Sequence, residues 1–336
     1  MRAVGYRHSL PIDRPEALID LEIGKPVPQG RDLLVQVKAV SVNPVDTKVR
    51  MRADPKGGEP KILGYDATGV VAATGPDVTL FSAGDEVWYA GSIIRPGTNS
   101  EFHLVDERIV GAKPRSLAFA AAAALPLTSI TGWEMLFDRF VVPRGGGEGK
   151  ALLIVGGAGG VGSITIQLAR ALTRLTVIAT ASRPETRDWC KTLGAHHVID
   201  HSKPMPEQLK AIGHRFVDYV FGVTESGTHF DAICDVVAPQ GKFGLIDDPK
   251  SLDVAKLKGK SASLHWEAMF TRSTFQTADM DAQHGLLNEV ATLVDNGTIC
   301  TTVAQNLGRI TAENLRRAHA QIESGRTRGK IVLEGF

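Results

Sequence analysis

Cysteine is scarce in this chain of 336 residues: Cys190, Cys234 and Cys300 lie far apart and form no CxxC pair. An odd, dispersed set argues against a disulfide framework, and reduced, mostly packed thiols are expected. Charge of one sign is also missing. Lys and Arg total 38 against 37 Asp and Glu, a net +1, so no global field gathers nucleic acid or an anionic membrane, and neither partner is expected. No apolar run approaches the roughly 20 residues needed to cross a bilayer. The opening Met1-Arg2-Ala3-Val4-Gly5-Tyr6 is not followed by a signal-peptide core, so a cytoplasmic location is expected.

What is present is ordinary globular material. Hydrophobic residues make up 43% and charged residues 22%, enough to bury a sizeable core, and the length suggests two domains or one large one. The first third reads as short strands separated by turns. Val35, Val37 and Ala39 alternate with Gln36 and Lys38, and further apolar runs follow at 69–72, 86–89 and 102–105. Gly75-Pro76, Gly84-Asp85 and Pro96-Gly97 punctuate them, a pattern that predicts a barrel or sandwich. After an Ala-rich helical stretch at 118–125, strand and helix signals alternate. Strands are predicted at 151–155, 175–179, around Val198-Ile199, at 216–221 and at 242–246, which implies βαβ units and a buried parallel sheet. The tail turns helical around Leu286, Leu287, Val290, Leu293 and Val294, stopped by Asn296-Gly297, and again around Leu315, Ala318 and Ile322, stopped by Gly325. A last strand is predicted at Ile331-Val332-Leu333.

The sharpest motif is Gly157-Ala158-Gly159-Gly160-Val161-Gly162, a GxGxxG between a predicted strand and a predicted helix. Gly157 permits the tight turn, Gly159 lets backbone approach a pyrophosphate, and Gly162 lets the helix pack closely on the sheet. The helix N-terminus then offers N–H groups and a positive dipole end to that phosphate. Gly149-Lys150 does not make a phosphate-binding loop of the other common kind, because Arg144 and Ala151 stand where a glycine and a Ser or Thr are required. An NAD site carries an acidic residue about 20 positions after the glycines. Here the second strand ends Thr180-Ala181-Ser182-Arg183 instead. A hydroxyl followed by a guanidinium suits a 2′-phosphate, so NADPH is the expected cofactor, held in part by Ser182 and Arg183.

Read together and in order, several segments resemble the medium-chain dehydrogenase/reductases. They are Val42-Asn43-Pro44-Val45-Asp46, Gly64-Tyr65-Asp66-Ala67-Thr68-Gly69-Val70-Val71, Gly84-Asp85-Glu86-Val87-Trp88, Ala124-Leu125-Pro126-Leu127-Thr128-Ser129-Ile130-Thr131, the glycine motif, Leu193-Gly194-Ala195 and Gly329-Lys330-Ile331-Val332-Leu333. The resemblance covers nearly the whole chain and is nearest to the zinc-free quinone oxidoreductases and the zinc-type alcohol dehydrogenase-like proteins. It implies an α/β protein: a Rossmann doubly wound parallel sheet at 127–272, binding NADP, plus a GroES-like β-barrel catalytic domain from 1–126 and 273–336. It also implies an active site in the cleft between them, and homodimers or homotetramers.

The chain departs from the zinc alcohol dehydrogenases. Segment 43–46 stands where they carry a ligand cysteine, Gly64-Tyr65-Asp66 replaces their Gly-His-Glu, and the four-cysteine zinc loop is missing. No metal is therefore expected. His196, His197 and His201 are crowded but lack a nearby further ligand, and are read as surface or strand-end histidines. No Ser-His-Asp triad or paired carboxylates are legible, which argues against hydrolysis.

Without a Lewis acid, a conjugated acceptor that spreads incoming charge is the better substrate, so hydride transfer to a quinone or enone is expected. The resemblance places Asn43 first among catalytic candidates, followed by Asp46, Thr47, Tyr65 and Tyr89. For Tyr65, standing where a ligand would project, a substrate contact and a packing role are equally open. For the cofactor it points to Thr131, to Phe221 and Gly222 near the adenosine, to Gly244, Leu245 and Ile246 near the nicotinamide, and to Lys330 reaching in from the tail. Phe270 could line a substrate pocket, or belong to the core or a dimer contact. A metal-dependent alcohol dehydrogenase with atypical ligands and a non-catalytic NADPH-binding protein remain as competing readings.

Overall fold

The computed structural model describes residues 1–52 and 54–336, which form two compact units: Met1–Ile130 with Phe270–Phe336, and Thr131–Met269. Among the described residues, no helix is long and apolar enough to cross a membrane.

The first unit is built around one long strand, Asp32–Val42. It pairs antiparallel with Ala67–Thr74, with Phe102–Asp106 and with the tail strand Lys330–Glu334. Register shifts at Leu34/Val35 and Val37/Ala39 bend it, which lets one strand serve so many neighbours. The alternation read from the sequence holds from Val35 to Ala39, where exposed Gln36 and half-buried Lys38 lie between buried neighbours; Leu33 and Leu34 before it and Val40 to Val42 after it are all buried. Glu86–Tyr89, Val110–Ala112 and Val303–Asn306 complete this sheet, and Ile19–Glu22, Arg2–Tyr6 and Lys61–Ile62 form a smaller one. The helices Pro44–Arg52 and Ala312–Glu323 pack together. Between them lie fully buried Arg50, which donates to the Leu10 carbonyl and the Glu323 carboxylate, and fully buried His319.

The second unit is an alternating α/β layer structure. Its strands are β1 (Ala151–Val155), β2 (Thr176–Thr180), β3 (His197–Ile199), β4 (Val217–Gly222), β5 (Val237–Leu245) and β6 (Ser263–Trp266). The intervening helices are α1 (Gly160–Leu172), α2 (Pro184–Thr192), α3 (Met205–Ala211) and α4 (Ser226–Val236). All strands run parallel, in the order β3-β2-β1-β4-β5-β6. The continuous apolar runs follow from this: β1 is covered on both faces, and Leu152, Leu153 and Ile154 are fully buried. On one face Met205, Leu209, Phe230, Ile233 and Cys234 close over Leu153, Val155 and Val220, which also accounts for the packed thiol of Cys234. Each such Leu, Ile or Phe contributes about 1.5–3 kcal/mol through burial.

Two elements differ from the sequence reading. The strand expected at 242–246 begins at Val237, and a sixth strand, β6, follows it. Its Ser-Leu-His-Trp stretch is an edge with Trp266 55% exposed, so it carries neither the length nor the apolar run of an inner strand. Residues Glu134–Arg139 also form a π-helical turn, which no periodicity announces.

Candidate active site

In the first unit the site candidates form a buried polar cluster at the start of the helix Pro44–Arg52. Asp46 reaches back from the first turn: its Oδ2 accepts from the Asn43 N–H at 2.8 Å and its Oδ1 from the Gly64 N–H at 2.9 Å. A carboxylate there satisfies donors that a helix start leaves unpaired and ties the helix to the 64–66 segment. Burial pushes the Asp46 carboxyl up to about 7, against the two N–H groups and Lys330, which favour its charged form.

Both carboxylate oxygens of Asp66 are likewise engaged. Oδ1 accepts from the Leu127 N–H at 2.8 Å, and Oδ2 accepts from Asn43 Nδ2 at 2.8 Å and from Lys330 Nζ at 3.1 Å. The Lys330 ammonium also donates to the Val42 carbonyl at 3.1 Å and to Asn43 Oδ1, so its three protons are all used. Burial pushes the Lys330 ammonium down and the Asp66 carboxyl up, and the ion pair opposes both shifts. Asn43, expected from the sequence among the catalytic residues, and Lys330, expected among the cofactor contacts, are thus two parts of one knot within this unit.

The two tyrosines differ. Tyr89 is fully buried with its hydroxyl 3.1 Å from His103 Nδ1, while His103 Nε2 lies 2.9 Å from the Pro96 carbonyl oxygen. That carbonyl needs a donor, which puts the imidazole proton on Nε2 and leaves Nδ1 to accept from Tyr89. Burial holds His103 down to about 4, so the ring stays neutral and the Tyr89 hydroxyl stays engaged. Tyr65 is fully buried as well, but its hydroxyl has no hydrogen-bond partner among the described residues. Its ring meets Phe270 edge-on, with centroids 5.3 Å apart. Burial, with Asp46 and Tyr6 adding to it, pushes the phenol pKa up, so the group is a neutral donor. Thr47 donates to the Pro44 carbonyl at 2.9 Å and serves the helix start.

In the second unit the glycine turn links β1 to α1. Gly156, which the motif reading passed over, has φ +93° and donates its N–H to Thr180 Oγ1 at 3.0 Å. The Gly157 N–H donates to the Thr180 carbonyl at 3.1 Å, so the turn is hooked to the end of β2. A Cβ on Gly162 would lie 2.7 Å from Gly157 Cα and against the Gly156 carbonyl, whereas one on Gly159 would meet nothing nearer than 3.7 Å. The first contact demands glycine for packing, and the second leaves the outer side of the turn open. With Gly159 as N-cap, the first turn of α1, from Gly160 and Val161 onward, directs N–H groups into that space. These residues fit the diphosphate of a dinucleotide.

The strand order reverses between β1 and β4, and in open parallel sheets ligands sit at such a switch, beyond the carboxyl ends of the strands. Phe221, Gly222, Gly244, Leu245 and Ile246 all lie along that edge. Phe221 and Leu245 are fully buried, and Gly244 makes room for Met135 and Phe140 within the same unit. Thr131 is buried too. At the tip of β2, Ser182 is exposed and Arg183 occupies the N-cap position of α2, its Nε 3.3 Å from Glu185 Oε1. Both partners are substantially solvated, and such pairs contribute about 0–1 kcal/mol.

One arrangement escaped the sequence entirely. Glu134 on the π-helical turn and Glu267 just after β6 are buried side by side, with Arg139 Nε 2.8 Å from Glu267 Oε2. Burial and the neighbouring Glu134 hold the Glu267 carboxyl well above the usual carboxylate range. This pair was not legible in the sequence, because the partners are over a hundred positions apart and no spacing rule joins them. Among the crowded histidines, His196 accepts from the Val177 N–H at 2.9 Å. Among the described residues, no group of three or more His, Cys, Asp or Glu is placed to hold a metal ion. The carboxylates of Asp46 and Asp66 are already occupied by N–H donors, so the cluster does not fit a metal seat.

Comparison with known proteins agrees with this architecture. Residues 29–124 match the alcohol dehydrogenase GroES-like domain family and residues 193–333 the zinc-binding dehydrogenase family. A zinc-type alcohol dehydrogenase-like protein of Staphylococcus aureus is 38% identical, over 99% of both chains. A crystal structure from Rhizobium etli, which bears the name of a zinc-dependent alcohol dehydrogenase, is 58% identical over 100% of this chain and 98% of its own, with a TM-score of 0.96. The quinone oxidoreductase of Escherichia coli, solved in complex with NADPH, is 25% identical over 99% of this chain and 100% of its own, with a TM-score of 0.84. With the parallel six-stranded sheet, the glycine turn and the β-rich unit in place, the chain belongs to the medium-chain dehydrogenase/reductase superfamily of oxidoreductases.

Proposed function

We propose that the chain reduces quinones or other conjugated carbonyl compounds with NADPH and without a catalytic metal. The observation that carries the cofactor choice is the tip of β2, where Ser182 and Arg183 stand instead of a carboxylate, beside the open glycine turn. A bound reduced nicotinamide supplies the hydride. Gly157, Gly159, Gly160, Val161 and Gly162 hold the diphosphate, Ser182 and Arg183 hold the 2′-phosphate, and Thr131, Phe221, Gly222 and 244–246 shape the rest of that crevice.

On the substrate side, Tyr65 carries the hydroxyl that is still able to donate, since those of Tyr89 and Thr47 are engaged elsewhere. Asn43, Asp46 and Lys330 hold the loop bearing it. Tyr65→Phe is expected to lower kcat/KM roughly tenfold while leaving stability equal or raised by about 1 kcal/mol, because an unpaired buried hydroxyl is removed. A stability gain with unchanged turnover would make Tyr65 a packing residue alone.

Arg183→Ala should weaken NADPH roughly tenfold to a hundredfold, the loss of a charge-assisted contact, and change NADH by less than about twofold. Equal losses for both cofactors would remove the 2′-phosphate role. The reading as a whole is tested by steady-state oxidation of NADPH and NADH against a panel of quinones, enones and saturated ketones. Turnover confined to the conjugated acceptors supports it, and silence across the panel with tight NADPH binding makes the chain a binding protein.

The family names favour a second reading, a zinc-dependent alcohol dehydrogenase. Stoichiometric zinc in the purified protein, with alcohol oxidation lost to a chelator, would establish it over the first.

A further inference from the structure

At the same edge of the second unit's sheet, two histidines from different elements face each other. His201 follows β3 and His229 lies on the first turn of α4. Their ring centroids are 5.8 Å apart at 66°, and both rings are partly exposed. His201 Nδ1 is 3.2 Å from Thr180 Oγ1, the hydroxyl that also accepts the Gly156 N–H of the glycine turn. One hydroxyl therefore joins this imidazole pair to the phosphate-facing backbone, at the strand whose tip carries Ser182 and Arg183.

We propose that His201 and His229 form a protonatable clamp for the phosphorylated ribose, so that NADPH binding takes up a proton and tightens as the medium becomes more acidic. The inference rests on the NADPH reading above and adds residues that the glycine motif does not contain. The physical case is one of charge. Two imidazoles in contact cannot both be charged at little cost, so without a ligand the pair prefers at most one proton. A 2′-phosphate brings nearly two negative charges and three acceptor oxygens, enough to recruit a proton to the pair. Protonation of His201 would also turn Nδ1 into a donor to Thr180 Oγ1, a contact already in place.

Charged groups of both signs surround the pair. Around His201, the Asp200 carboxylate accepts from the Ser202 N–H and hydroxyl and lies 3.8 Å from Lys203. Around His229, Glu225 and Asp247 favour the charged ring, while burial and His201 oppose it and hold the ring below its ordinary range. At the start of α2, Arg183 pairs with Glu185, and from α2 Arg187 donates to the Val198 and Ala181 carbonyls. The neighbourhood therefore has acidic and basic groups in near balance, and an added phosphate changes its sign.

Titration calorimetry of the whole protein tests this, using NADPH, NADH and adenosine 2′,5′-bisphosphate in buffers of different ionisation enthalpy. At pH 7.5 the phosphate is already a dianion, so protons taken up come from recruitment by the protein. A one-unit rise of one imidazole on binding predicts uptake of about half a proton with NADPH or the bisphosphate, none with NADH, and a roughly fivefold tightening of NADPH from pH 8 to pH 6.5. His201→Gln with His229→Gln should abolish both the uptake and the tightening. No proton uptake by the unaltered protein, or uptake unchanged in the double variant, would overturn the clamp. If NADPH and NADH bind equally at every pH, the NADPH reading itself has failed; a persistent preference for NADPH with a flat pH profile defeats the clamp alone.

Discussion

Lys330→Met is expected to destabilise the protein by about 3–5 kcal/mol, because it strands the Asp66 carboxylate in a buried site without its cation. The ion pair itself is worth far less than that, since burying both charges carries a large desolvation cost. The asymmetry gives the test its sharpness. Adding Asp66→Asn to Lys330→Met should recover part of the loss, as an amide at 66 can accept from the Leu127 N–H and donate to Asn43 Oδ1, which the lost lysine frees, once the Asn43 amide turns over. Denaturant melts of the two single variants and the double variant would show this as strong coupling. Additive losses would mean that the lysine acts through its aliphatic stem packed in the sheet.

His319→Leu should change how the protein responds to acid. The ring is fully buried between two helices, neither nitrogen finds a partner among the described residues, and burial with the Arg50 guanidinium nearby holds its pKa down to about 3. A histidine held below its unfolded value stays neutral in the native state but gains a proton on unfolding. The native state is therefore at full strength above the unfolded value of about 6.5 and loses ground as pH falls from there towards 3. Between pH 8 and pH 5 this one group removes about 2 kcal/mol. Leucine at 319 should erase that slope, and should raise stability at pH 8 as well by freeing the core of unpaired nitrogens. Melts at both pH values measure it; parallel curves for the two proteins would refute the assignment.

The parts of this fold legible in the sequence were those with a local physical signature. The apolar run at Ala151–Val155 and the glycine motif after it located β1, the turn and α1, because strand burial, tight turning and helix start each leave marks within a few residues. Asn296-Gly297 and Gly325 likewise marked real helix ends. What escaped was long-range. Lys330 is expected from the sequence to reach a cofactor from the tail; that Asn43 and Asp66 together receive it depends on strand pairing nearly three hundred positions away. Glu134 and Glu267 are brought together by a π-helical turn and an edge strand, both weak signals. The engagement of Tyr89 with His103 and the isolation of the Tyr65 hydroxyl were equally invisible, since the two tyrosines look alike in the chain.

The pairing of the tail strand Lys330–Glu334 with Asp32–Val42 also has a consequence for biosynthesis. Lys330 is separated from its Val42 acceptor by 288 positions. At about 5–20 residues per second, a ribosome takes roughly 15–60 s to deliver the missing strand. During that interval the nascent N-terminal sheet presents an open edge to whatever else the cell contains, while the 131–269 unit, whose strands all lie within one continuous stretch, can already close. The strand that seals this edge is translated long after the strand it pairs with.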